Sequence, residues 1–187
     1  DRVQIFSELS FWFSLLFYIP YTISVLRGKV NPTLSPWISW SVINVAIFIS
    51  MYHNGFLSKQ ILAYFIGNGI VIVACVYTRA KLDWQNIDNI CVSIVIAAMS
   101  VWFFTGNPVL AIAISLVATA TASLPMIINL YKDPTREPIP PWLLLFGGGI
   151  SAVLAIPSMT WVAALAPITF LVFQSVTVSF MLLRYIR

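Results

Sequence analysis

The chain has 187 residues, of which 60% are hydrophobic and 9% charged. Soluble domains average about 25% charged residues, so a water-facing surface is excluded and the length allows a single membrane domain. The net charge of +4 is scattered as single or paired cations between apolar runs, which argues against a nucleic-acid patch and reads as topology signals.

Seven apolar segments are predicted, at roughly 5–26, 36–53, 59–78, 87–104, 108–131, 141–158 and 160–183. Each is near the ~20 residues a helix needs to cross the hydrocarbon core. None alternates apolar and polar residues as a barrel strand would. The first segment ends in Arg27-Gly28-Lys29-Val30-Asn31-Pro32 and the second in His53-Asn54-Gly55. Thr105-Gly106-Asn107-Pro108 leads into the fifth, with Pro108 placed for a first helical turn. Lys132-Asp133-Pro134 closes the fifth, and Pro157-Ser158-Met159-Thr160 divides the sixth from the seventh. The expected fold class is all-α integral membrane, with seven transmembrane helices.

Seven spans put Arg27, Lys29, Arg79, Lys81, Lys132, Arg136, Arg184 and Arg187 on one side and only Arg2 and Lys59 on the other. The positive-inside rule then sets the N-terminus outside and the C-terminus in the cytoplasm of a plasma (inner) membrane. Cys75 and Cys91 fall near cytoplasmic helix ends and read as free thiols. No signal peptide is expected, since Asp1 opens the chain without a charged n-region and cleavage site.

One stretch occurs twice. Tyr18 to Ser41 aligns with Ser123 to Phe146 at an offset of about 105 positions: Pro20 with Pro125, Arg27 with Lys132, Pro36-Trp37 with Pro141-Trp142. That length is too great for a solenoid unit and suits one half of a duplicated membrane domain. Residues 1–83 form the first three-helix repeat, 84–106 a linker helix and 107–187 the second repeat. The linker restores the direction of the second copy, so the repeats run parallel about an axis along the membrane normal. Ala111, Ser115, Ala118 and Ala122 make a small-residue stripe for close helix packing. Gly147-Gly148-Gly149 reads either as packing or as a flexible point in the sixth helix.

Four prolines are candidate hinges. Pro20 and Pro125 lie inside the first and fifth helices, where a proline removes a backbone hydrogen bond and bends the helix. Pro36 and Pro141 start the second and sixth helices, as hinge elements or as ordinary first-turn prolines. Among polar residues, Asn68 lies mid-span in Gly67-Asn68-Gly69, where an amide needs partners or a wet cavity. Trp37, Trp40, Ser41, Asn44 and Phe48 share one face of the second helix. Gln174 and Thr177 share a face of the seventh with Pro167 and Phe170. Amides, hydroxyls and aromatic rings about one axis suit a neutral polar solute with stackable faces; interhelical hydrogen bonding alone is their other use.

Glu8 and Asp88 lie near helix ends, where solvation or, for Glu8, proton coupling is expected. His53, without a carboxylate cluster, makes a poor metal ligand. The seventh segment has no lysine for a retinal Schiff base, no pair of mid-span aspartates exists, and neither a Gly-x-Ser-x-Gly nor a His-Glu-x-x-His motif appears. No enzyme activity, metal or cofactor is expected.

Two three-helix halves, a linker helix and one proline in each of helices one, two, five and six resemble the SWEET/PQ-loop transporter superfamily over nearly the whole chain. The resemblance implies that Pro20, Pro36, Pro125 and Pro141 form a tetrad supporting alternating access. It also implies that Asn68, followed by Gly69 and later Tyr77, binds substrate. The Pro-Gln dipeptide is missing from both copies: Tyr21 follows Pro20 and Met126 follows Pro125. The expected function is facilitative transport of a small polar solute, sugar-like or nucleoside/vitamin-like. Asn68, Asn44, Trp40, Gln174, Ser41 and Thr177 are the expected substrate contacts. A ligand-binding receptor or scaffold on the same fold, and a proton-coupled transporter using Glu8, stay open beside it. The expected partners are the solute and the lipid bilayer, with a homo-oligomer allowed and no nucleic acid.

Overall fold

The computed structural model describes residues 1–30, 32, 34–53, 55, 57–79, 86–135 and 137–183. Seven helices form where the apolar segments were drawn: α1 (Arg2–Leu26), α2 (Leu34–His53), α3 (Lys59–Tyr77), α4 (Asn86–Thr105), α5 (Pro108–Lys132), α6 (Ile139–Leu154) and α7 (Trp161–Leu182). Lys81, Arg136, Arg184 and Arg187 of the charge pattern, and Asn31 and Asn54 of the turns, lie outside the described residues, as do the side chains of His53, Asp88, Cys91 and Ala111.

Local chemistry sets the helix starts. The first turn of a helix leaves N–H groups without intrahelical partners, and an N-cap side chain accepts from them. Asp1 caps α1, Ser58 α3, Asn107 α5 and Thr160 α7 in this way. Asn107 accepts from both Val109 and Leu110, directly before the first-turn Pro108. At the other end of α1, Gly28 takes φ +65°, a left-handed conformation that glycine adopts at no steric cost.

Four helices, α1, α3, α5 and α7, are long and apolar enough to cross a membrane, and α2, α4 and α6 carry shorter apolar stretches. The outward faces are apolar too: Val73 and Val76 of α3, Val117 of α5 and Val172 of α7 are each more than half exposed. An apolar exterior of this extent belongs in lipid. Together these features point to an integral membrane protein.

α1 packs against α3 and α6, α2 against α3 and α5, and α7 against α5 and α6. α4 lies to one side, on α5 and the edge of α2, with Phe103 and Phe104 exposed and Val95 turned inward. The α1–α6 seam explains one of the three glycines. A Cβ on Gly148 would stand 2.5 Å from Ser14 Oγ and 3.3 Å from the Ser10 carbonyl oxygen of α1. A close approach of two backbones needs that missing side chain. α6 runs unbroken through Gly147, Gly148 and Gly149, and close packing accounts for Gly148.

Candidate functional site: a central cavity between six helices

Every helix except α4 contributes to one cavity at the middle of the bundle. Phe17 and Tyr18 come from α1, Trp37, Trp40 and Asn44 from α2, and Tyr64 and Asn68 from α3. Thr119 comes from α5, Trp142 and Leu145 from α6, and Phe170, Phe173 and Gln174 from α7. Its volume is about 50 Å³, room for a few waters and far below the roughly 300–1,000 Å³ of an occupied ligand pocket. No Asp, Glu, Lys, Arg or His is among the lining residues.

Long-range hydrogen bonds hold the polar side chains in place. The Tyr18 hydroxyl donates to Asn68 Oδ1 at 2.8 Å. A Cβ on Gly67 would meet the Tyr18 ring at 2.0 Å, so the glycine beside Asn68 is what admits the tyrosine. Gln174 Nε2 donates to the Tyr64 hydroxyl at 2.7 Å, and its Oε1 lies against Gly149, where a Cβ would come within 2.0 Å. Trp40 Nε1 donates to Ser123 Oγ of α5 at 3.1 Å. Asn44 is buried, and its side chain makes no hydrogen bond to another described residue.

Five rings from four helices close into a collar. Trp37 stands 5.2 Å from Trp40, Trp40 5.6 Å from Phe173, and Phe173 6.2 Å from Trp142. Trp142 stands 5.3 Å from Phe17 and Phe17 6.3 Å from Trp37. Most of these contacts are edge-to-face, the geometry the ring quadrupoles favour. Trp37 and Trp142 are the two tryptophans that align, each after a proline, at the 105-position offset.

Beyond the collar, toward the C-terminal end of α1, a carboxylate is buried. Glu137, in the α5–α6 connection, is 3% exposed. It accepts from the Tyr21 hydroxyl at 3.1 Å and from Trp142 Nε1 at 3.3 Å. Tyr21 packs on Trp37 at 5.1 Å. This group escapes sequence reasoning, because a glutamate between Arg136 and Pro138 reads as part of a solvated loop.

Toward the N-terminal end of α1 the bundle is more open. A second cavity of about 330 Å³ is lined by Val3, Ser7, Ser58, Ser158, Thr160, Pro167 and neighbours. A tight neck at Met51, Gln60, Ile61 and Ala166 shares Pro167 with that cavity and Phe170 with the central one. Glu8, the candidate proton carrier, pairs with Lys59 at the start of α3. It lines neither cavity.

Asn68, Asn44, Trp40 and Gln174 are therefore brought together, and two expected contacts are not. Ser41 donates to the Trp37 carbonyl at 2.8 Å and Thr177 to the Phe173 carbonyl at 2.9 Å, and neither lines the cavity. A hydroxyl inside an apolar helix satisfies itself on the carbonyl one turn back, which uses up the donor a substrate would need. Pro20 and Pro125 lie inside α1 and α5. Pro36 and Pro141 are each third in their helices, where the missing N–H breaks no intrahelical bond. Tyr77 ends α3, exposed.

Comparison with protein-family models, with curated proteins and with solved structures found no match to this chain.

Proposed function

We propose that this chain is a membrane transporter that moves a small, uncharged polar solute by alternating access between two three-helix halves. The observation that carries the reading is the membership of the central cavity: all six helices of the two repeat copies line it, and the linker helix does not. The helix neighbours support the halves as well. Exchanging α1, α2, α3 for α5, α6, α7 turns the pairs α1–α3, α2–α3 and α1–α6 into α5–α7, α6–α7 and α5–α2, all of which occur. A ligand site between repeats, midway across the membrane, is how repeat-built transporters work.

On this reading the molecule is closed at the collar, with the wider cavity on the N-terminal side, which the cation pattern assigns to the exterior. Facilitated diffusion fits a cavity wall without Asp, Glu, Lys, Arg or His. Rocking of the two halves would open the collar and narrow the opposite neck.

The test is solute counterflow in proteoliposomes, run with Asn68→Ala beside the parent. Asn68 is fixed by Tyr18 and lines the cavity, so the variant is expected to lose at least 10-fold in exchange, about 1.4 kcal/mol, while eluting as a folded species. Equal exchange by Asn68→Ala would remove the cavity from the transport route.

A further inference from the structure

The hydrogen-bonding capacity that the fold leaves unused at the cavity specifies a solute. Asn44 is 4% exposed, yet neither atom of its amide bonds a described residue or is sealed from the cavity. Asn68 Oδ1 is taken by Tyr18, which leaves Nδ2 as a donor. The other polar groups do not face the cavity with free capacity: Gln174 gives its nitrogen to the Tyr64 hydroxyl, and its oxygen is sealed against Gly149 without a hydrogen-bond partner. Thr119 donates to the Ser115 carbonyl and Trp40 to Ser123. What remains is one whole carboxamide edge, donor beside acceptor, and one further donor.

Buried amides left without partners are rare, because leaving them so is unfavourable. A matching ligand therefore has an N–H and a C=O side by side to pair with Asn44, and an acceptor for Asn68. The wall demands flat faces, since aromatic rings make up most of it and such rings stack well on planar groups. No ionic residue lines it, so the ligand is neutral. A sugar fits poorly: it carries a hydroxyl on nearly every ring carbon, and each one buried without a partner costs affinity. The small volume favours one ring over two, because the walls must move least for it.

We infer that the central cavity takes a single-ring, uncharged heteroaromatic solute bearing a lactam or carboxamide edge, the chemistry of a free pyrimidine base or of nicotinamide, and not a polyol. This rests on the transporter reading, which makes the cavity the substrate site.

The experiment is isothermal titration of the purified full chain with uracil, nicotinamide, 1,3-dimethyluracil and glucose, each at millimolar concentration. Asn44→Leu and Asn44→Ala are titrated beside it. Leucine nearly matches asparagine in shape and removes an unpartnered buried amide, so Asn44→Leu stays folded with a melting temperature at or above the parent's. Uracil or nicotinamide is expected to bind, with at least a 10-fold loss of affinity in both variants, about 1.4 kcal/mol. Dimethyluracil, which keeps the flat faces and carbonyls but lacks N–H donors, is expected to bind more weakly than uracil. Absence of binding by both flat probes, or binding that ignores the Asn44 substitutions, overturns the inference. Counterflow separates this failure from failure of the transport reading. Glucose exchange that depends on Asn68 would leave a transporter with a different substrate class, whereas no exchange of any probe would remove both.

Discussion

Gly67→Ala is expected to destabilise the protein and to disarm Asn68 in one step. The added Cβ would stand 2.0, 2.1 and 2.3 Å from three ring atoms of Tyr18, against a comfortable carbon–carbon separation of about 3.5–4.0 Å. Tyr18 can retreat only toward the small central cavity, at the expense of its packing and its hydrogen bond. It is 3% exposed, its ring packs on Phe17 at 4.8 Å, and its hydroxyl is tied to Asn68. Alanine's better helix propensity returns up to about 1 kcal/mol, and overpacking of this kind costs about 1–3 kcal/mol or more. Sterics win, and a fall of several degrees in Tm follows for a chain of this size. Gly69→Ala is the matched control. Nothing lies within 4 Å of its Cβ, so the propensity gain stands alone and Tm should hold or rise. Equal stability of the Gly67 and Gly69 variants would mean that Tyr18 does not occupy this place against α3. Solute binding should fall in the Gly67 variant only, since moving Tyr18 releases Asn68 Oδ1.

The contrast between those two glycines shows which parts of the molecule can be read from sequence. Seven helices are legible because each apolar run approaches the length of a membrane crossing and five of them end at Pro, Gly or Asn. Trp40 and Asn44 are legible because helical spacing puts them on one face of α2. The pairs that build the site are another matter. Tyr18 with Asn68, Trp40 with Ser123 and Gln174 with Tyr64 join residues from different helices, and no local pattern announces them. Ser41 and Thr177 stay off the cavity wall for the opposite reason. Their chemistry suits a binding site, but a carbonyl one turn back on their own helix claims each hydroxyl first. Gly147, Gly148 and Gly149 look alike in sequence, yet one admits the α1 backbone and another the Gln174 amide.

Glu137→Ala is expected to loosen the end of the bundle beyond the collar. Glu137 takes a hydrogen bond from Tyr21 of α1 and another from Trp142 of α6, so it ties together two helices far apart in the chain. Tyr21 and Trp142 are at most 1% exposed. Deleting the carboxylate strands both donors, at about 1–3 kcal/mol for each buried group left unsatisfied. Glu137→Gln keeps an acceptor oxygen and should lose less. Tyr21→Phe strands one acceptor site and leaves the ring packing on Trp37 untouched, so it should also fall between parent and Ala.

If this end opens during transport, those losses weigh on the closed state more than on the open one. Cys75 reports the difference. It is a buried free thiol of α3, 1% exposed. In a Cys91→Ser background, the rate of maleimide labelling at Cys75 should rise at least 10-fold in Glu137→Ala, at about 1.4 kcal/mol per factor of ten. Tyr21→Phe should raise it by less. Labelling is run well below the Tm of each variant, and elution as a folded species separates opening from unfolding. Unchanged labelling in folded Glu137→Ala would leave Glu137 as a fixed support for Trp142 and the collar. It would also move the opening of the bundle away from the α1–α6 seam.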